Sequence, residues 1–419
     1  MARTRVIGAF AATIAVSVAG LTACKQKDTS QSPIGSAPLK PSALPSASSS
    51  APAEWTLPSV KSEERDEAPD APHVDGGAFK AGTLSDIGPA GPASASRFGV
   101  VMISKRDEVV LAPPGKTKGS FKGITLVASS FAEKAPPPAI AGEYAYFVSN
   151  GKLARRRVPT LGPVEVLGDA RDHTRVAALP ATESRPAAAA FIVNPDKPTG
   201  SATAMLWVEG GDIVRLSPDG TGASSVSMAE SGGEVLVAVL DGRTGMTPVH
   251  VRKVQFVDKR PALGENVVAW VAGPAQPTTE LTLLATDKDA WIFSPLERET
   301  TRFGLAAVHI GGTPKMGSPV EWRMYPNGVD PAPVAAVHAC GRELLVYTRP
   351  STEAPGAEQE LHLAASGDSG LESSDVLAKA PGIQALTASG DADSLLVVYG
   401  HSSRTWALSV PCPHPPKSK

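Results

Sequence analysis

Between residues 97 and 411 the apolar positions of this chain fall in short blocks, four to seven residues long and rich in Val and Leu. Gly, Pro, Asp and Ser bound them. Phe98–Ile103, Glu108–Leu111, Tyr144–Val148, Ala204–Val208, Glu234–Val239, Val267–Val271, Leu344–Tyr347 and Leu395–Tyr399 are the clearest. Blocks of that length between turn signals predict strands. Asn150-Gly151, between Tyr144–Val148 and Leu153, predicts a two-residue type I′ hairpin, and Asp241-Gly242 after Val235–Leu240 predicts another. Glu209-Gly210-Gly211-Asp212 separates Trp207 from Ile213 as a further turn. No stretch of this region carries a 3.6-residue apolar stripe through three turns. Pro186–Ala190 and Glu372–Ala380 are the two candidates for a short helix, and each reads equally well as loop. The pattern is all-β and built from sequential antiparallel hairpins.

Two segments can be superposed. Val334–Gly341 precedes Leu344–Tyr347, and Ile383–Gly390 precedes Leu395–Tyr399 in the same way, with Tyr347 and Tyr399 52 residues apart. Each is followed by a polar turn and another strand, Leu361–Leu363 and Trp406–Leu408. This layout resembles the blade of a β-propeller, whose period is roughly 40–50 residues. It implies a β-propeller of about seven (six to eight) four-stranded antiparallel blades over residues 97–411. A pair of β-sandwiches is the alternative that the same strands would satisfy. Ile213–Gly222, a strand ending in a basic residue and a hydrophobe before an Asp-Gly-Thr-Gly turn, is similar to a blade hairpin of TolB-like periplasmic propellers. The Ala/Pro-rich span Ala177–Ala204 reads as an insertion or an irregular blade. Trp207, Trp270, Trp291, Trp322 and Trp406 recur at strand positions, where packing between blades explains them more simply than a carbohydrate platform.

The N-terminus is written differently. Met1–Arg5 is basic and Val6–Gly20 is apolar for 15 residues, shorter than the roughly 20 needed to span a bilayer but of the length of a secretory signal. It ends in Leu21-Thr22-Ala23-Cys24, which resembles the bacterial lipobox. The resemblance implies cleavage after residue 23, lipidation of Cys24, and a membrane partner reached through that lipid. The protein would then sit at the cell membrane or outer membrane, its folded domain in the periplasm or at the cell surface. Lys25, rather than Asp, favours the outer membrane. Residues 24–96 are rich in Pro, Ser and Ala, with an acidic stretch at Glu63–Glu67, and read as an unfolded tether. Residues 412–419 read as a tail.

Charge and chemistry narrow the picture only a little. Forty Lys and Arg face 42 Asp and Glu, a net charge of −2. Arg155–Arg157 is the one basic cluster, so a nucleic-acid partner is not expected. Beside Cys24 stand only Cys340 and Cys412, a candidate disulfide in an oxidising compartment, with two free thiols as the alternative. The eight histidines are scattered, without the spacing of a zinc site. Asp172-His173 is the best local acid–imidazole pair, in a polar turn. Asp287/Asp289 and Asp391/Asp393 fall short of a calcium loop. No phosphate loop, dinucleotide fingerprint or hydrolase elbow is present. The sequence therefore implies no cofactor and no metal, and identifies no catalytic residue. The expected function is a membrane-anchored lipoprotein with a non-catalytic binding or scaffold domain for a protein or envelope component. The alternative is a cell-envelope hydrolase or lyase with its active site in the propeller's axial pocket.

Overall fold

A computed structural model describes residues 73–74, 82–106, 108–124, 135–196, 200–243, 248–270, 276–277, 280–298, 302–311, 320–325, 333–352, 358–367, 370–371, 375–380 and 382–413. All belong to one compact unit, Pro58–Lys419. Leu21, Thr22, Ala23, Cys24, Trp55 and Glu63–Glu67 lie outside the described residues. Among those described, every regular element is a strand, and each strand is antiparallel to its neighbours.

The strands form seven sheets that follow one another along the chain, the blades of a seven-bladed β-propeller. The first blade is Ala93–Ser96, Gly99–Ile103 and Val109–Ala112. The second is Ala139–Ala141, Tyr144–Ser149, Lys152–Arg157 and Glu165–Asp169. The third is Ala177–Leu179, Ala188–Val193, Thr203–Val208 and Val214–Arg215, and the fourth Ala223–Ser231, Glu234–Asp241, Val249–Val257 and Arg260–Trp270. The fifth opens with Thr282–Ala285 and continues through Ala290–Arg298, Arg302–His309 and Val320–Tyr325, with Gln276–Pro277 as an extra short strand. The sixth is Val334–Ala339, Arg342–Pro350, Gln359–Gly367 and Asp375–Ala380, extended by Gly370–Leu371. The seventh is Gln384–Gly390, Ser394–His401 and Arg404–Pro411. Its fourth strand comes from far upstream, Thr83–Pro89.

Seven hydrophobic clusters hold the ring, one at each interface between successive blades. Because alternate residues of a strand point to opposite faces, a strand between two such interfaces must be apolar at every position. Val100 and Met102 pack toward the seventh blade, while Val101 and Ile103 pack toward the second. Leu344 and Val346 pack toward the seventh blade, Leu345 and Tyr347 toward the fifth. Trp207, Trp270, Trp291 and Trp406 are buried in these clusters.

The ring closes where Thr83–Pro89 pairs with Arg404–Pro411, Thr83 opposite Ser409 and Pro89 opposite Arg404. Ile87, fully buried, enters the cluster between the seventh and first blades. Arg404 clamps Asp86 through Nη2 contacts of 2.7 Å to both carboxylate oxygens, and Thr405 donates to the Pro89 carbonyl. Just upstream, His73–Val74 pairs with Ala378–Lys379 on the outer edge of the sixth blade. Between the sixth and seventh blades, Cys340, in the turn after Val334–Ala339, and Cys412, just past Arg404–Pro411, form a disulfide with their Cα atoms 5.3 Å apart. Close approach there needs a glycine: a Cβ at Gly390 would lie 2.3 Å from the Cβ of Ala339.

Several expectations need correction. The body does not start at Arg97: His73–Val74, Thr83–Pro89 and Ala93–Ser96 already belong to blades, though their residues read as tether. Pro186–Ala190 and the described part of the second candidate, Asp375–Ala380, are not helical. Ala188–Val193 is a fully apolar second strand, and Asp375–Ala380 is an outer strand. The span Ala177–Ala204 is the ordinary inner half of the third blade rather than an insertion. Asn150-Gly151 is the type I′ turn expected, with φ of 49° and 72°. Asp241-Gly242 is not such a turn. Asp241 is instead a buried carboxylate that accepts from the Gly222 amide and pairs with Arg243. The Asp219–Gly222 turn leads from the third blade into the fourth rather than joining two strands of one blade.

If the seam limits stability, Ile87→Ala should cost about 2–5 kcal/mol, as for other large-to-small core changes. Cys412→Ser should cost about 2–4 kcal/mol through the freed loop. Chemical denaturation of the two variants would show both losses. A midpoint unchanged by Ile87→Ala would mean that the closing strand contributes nothing.

Candidate functional site

The seven innermost strands surround an axial channel, and a cavity of about 240 Å³ occupies the end at which those strands begin, here called the leading end. Each blade contributes to its wall, including Ala95, Ala139, Ala177, Ser227, Thr282, Ala335 and Thr387.

Several hydroxyl groups on these innermost strands join neighbouring blades. Ser94 Oγ donates to the Pro138 carbonyl at 2.6 Å, from the first blade to the second. Ser225 and Ser227 accept from the amides of Leu281 and Leu283 at 3.3 and 3.0 Å, from the fourth to the fifth. Thr282 Oγ1 donates to the Val334 carbonyl at 3.2 Å, from the fifth to the sixth. Thr387 accepts from the Ala95 amide at 3.2 Å and donates to the Ala93 carbonyl at 3.4 Å, across the seam. All six bonds run from a side chain of one blade to the backbone of the next.

Charge enters at the two ends. At the leading end Arg175, two residues before the third blade, reaches Glu280, two residues before the fifth, with Nη2–Oε2 at 3.3 Å. The pair passes over the fourth blade. Arg175 is the one charged residue in the cavity wall among the described residues. At the opposite end buried Arg185 pairs with Glu230 at 2.9 Å, joining the third and fourth blades.

The residues singled out from sequence do not converge on this channel. Asp172 accepts from the Gly151 amide at 2.8 Å and so caps a hairpin, while His173 sits beside it at φ 60°. Asp289 pairs with the exposed His309, and His338 with Glu343. Asp391 accepts from the amides of Asp393 and Ser394. Burial pushes its carboxyl upward, and those amide bonds outweigh it, leaving it below the usual range. Among the described residues no three His, Cys, Asp or Glu are grouped as a metal site.

Two polar networks were not legible beforehand. In the sixth blade Glu360 and His362 are more than nine-tenths buried, with Oε2 and Nε2 at 2.9 Å. Lys379 stands 3.2 Å from the other oxygen of Glu360, and the His362 ring stacks on Tyr347 with centroids 5.3 Å apart. Desolvation opposes the Glu360 charge, but His362 and Lys379 hold its carboxyl below the usual range. The alternation Glu360-Leu361-His362-Leu363 was the available signal, since it places both polar groups on one face. In the fourth blade His250 has a buried Nε2 without a hydrogen-bond partner, while its Nδ1 meets Asn266 at 3.0 Å. Burial holds this imidazole below its ordinary range, opposed by Asp241 and helped by Arg243 and Arg252.

No family model matches the sequence, and no curated protein matches it. Solved structures bear a partial likeness to the fold. An ulvan lyase, described as a new family of polysaccharide lyase, is 12% identical, with 79% of this chain and 95% of that one covered and a TM-score of 0.49. The N-terminal domain of Nup159 is 9% identical over 83% of this chain and 99% of that one, at 0.45. A Trypanosoma rangeli sialidase is 11% identical over 79% and 59%, at 0.41. Likeness at this level concerns fold alone. The class of the protein, a seven-bladed β-propeller, rests on its own strand topology.

His250 gives a pH test. With its folded value below the unfolded value of about 6.5, its contribution is complete above that pH and is lost as the pH falls. The melting temperature should therefore drop between pH 7.5 and 5, and His250→Gln should flatten the drop. An unaltered slope in the variant would remove His250 from the account. Separately, Thr387→Val should cost about 1–3 kcal/mol by leaving the Ala93 carbonyl and Ala95 amide unpaired, read by urea denaturation.

Proposed function

We propose that this protein is a lipid-anchored lipoprotein of the bacterial envelope whose propeller is a non-catalytic binding or scaffold platform. The observation that carries the binding reading is the use made of the axial wall. Hydroxyls on four of its seven strands staple blade to blade, so the wall is organised to keep seven strands in place. The acid–imidazole pair Glu360–His362 lies buried inside a blade, away from that wall.

The anchoring half of the proposal rests on sequence. Leu21-Thr22-Ala23-Cys24 follows a basic and then apolar leader, and a long Pro/Ser/Ala stretch separates Cys24 from the first blade strand. A single acyl chain gives only marginal membrane binding, so the diacylglycerol and amide-linked chains implied by the lipobox would together make the anchor stable. A protein or envelope component is the proposed partner, met by the propeller.

Cys24→Ser should move the protein from the membrane pellet to the soluble fraction and remove the acyl mass from its N-terminal peptide. An unchanged distribution would overturn the anchor. For the platform, photo-crosslinkers placed at the two ends of the ring in living cells should trap a discrete adduct from one end. Equal, diffuse labelling from both ends would overturn it.

A further inference from the structure

We propose that the leading end of the channel is a binding site for a small organic carboxylate, in which Arg175 is the recognition cation and Glu280 an internal competitor for it. This deepens the binding reading above and rests on it.

Three features converge. The cavity is enclosed by all seven innermost strands, so its wall is rigid, and its volume of about 240 Å³ lies below the roughly 300–1,000 Å³ of pockets for drug-sized ligands. That restricts the occupant to a small molecule. Among the described residues the lining mixes aliphatic and hydroxyl-bearing residues and is uncharged apart from Arg175, with Ser227, Thr282, Thr387 and Ser389 in the wall. A compact ligand body bearing hydroxyl or amide groups suits such a wall. Finally, Arg175 reaches across the mouth to a carboxylate carried by a blade two positions on, passing over the blade between.

That last contact is what distinguishes a site from a staple. The other wall bonds join adjacent blades, side chain to backbone. The Arg175–Glu280 pair joins side chain to side chain at 3.3 Å, both groups partly exposed, with side-chain exposures of 23% and 39%. Partly exposed ion pairs contribute little to stability, so its exchange for a ligand carboxylate is cheap. A guanidinium offers five donors in a planar fork that fits a carboxylate bidentately. A ligand carboxylate entering the mouth would take the place of Glu280, and Glu280 would swing into solvent. Glu280 thereby sets a threshold: neutral analogues gain nothing from Arg175, and weak anions fail to displace the resident carboxylate.

The test is calorimetric titration of the full-length chain at low ionic strength with D-gluconate, D-lactate and N-acetylglycine, each beside its carboxamide. At least one acid should bind and its amide should not. Arg175→Gln should weaken that acid by at least about tenfold, the scale of a hydrogen bond to a charged group. Arg175→Lys should retain part of the affinity, and Glu280→Gln should tighten it several-fold. The opposed signs are diagnostic, because a merely structural ion pair would make Arg175→Gln and Glu280→Gln equivalent in both binding and melting temperature. Absence of binding by all three acids to both the natural chain and Glu280→Gln overturns the site, as does affinity indifferent to Arg175→Gln. Either result leaves the crosslinking experiment at the ring ends to judge the platform itself.

Discussion

Closure of the ring is the constraint on which everything else depends. A propeller blade has a buried face on each side, so an unclosed ring would leave one blade with a large apolar surface in water. Here the seam lies between the sixth, seventh and first blades, and the chain meets it with several devices. The strand Thr83–Pro89 completes the seventh blade from the far end of the sequence, with Ile87 in the core and Asp86 held by Arg404. Cys340 and Cys412 tie the sixth blade to the last strand of the seventh. Thr387 then links the seventh blade to the first through two hydrogen bonds.

Much of this fold is written in the sequence because of that two-sided burial. Val100–Ile103, Leu344–Tyr347 and Leu395–Tyr399 are continuous apolar runs since each faces two interfaces, and they stand out without any alternation. The strands that were missed are those nearest the axis or assembled from small residues. Ala93–Ser96, Ala177–Leu179 and Ala188–Ala190 carry mostly Ala and Ser, so their composition mimics a linker. The closing strand Thr-Leu-Ser-Asp-Ile-Gly-Pro contains only two large hydrophobes, and nothing local marks it as the partner of a strand more than 300 residues later.

The site was less legible than the fold, for a related reason. Arg175 and Glu280 lie 105 positions apart in sequence, and neither belongs to a motif. Only the angular step between blades brings them to one mouth. The residues that looked chemical in the linear sequence serve local structure: Asp172 caps a hairpin and Asp391 orders a turn. In a ring of repeats, proximity is set by blade number and depth along the axis, and a search of neighbouring positions cannot read either coordinate.

The route of the chain into the ring has a mechanical corollary. His73–Val74 lies on the outer edge of the sixth blade and Thr83–Pro89 on that of the seventh, so the N-terminal chain is paired with both blades along their outer edges, while the disulfide joins the same two blades between a turn and a strand end. Tension arriving from the N-terminal side therefore meets the two edge strands in turn, beginning with two paired residues and then six. The short first attachment can yield and re-form as a fuse, sparing the strand that keeps the circle shut.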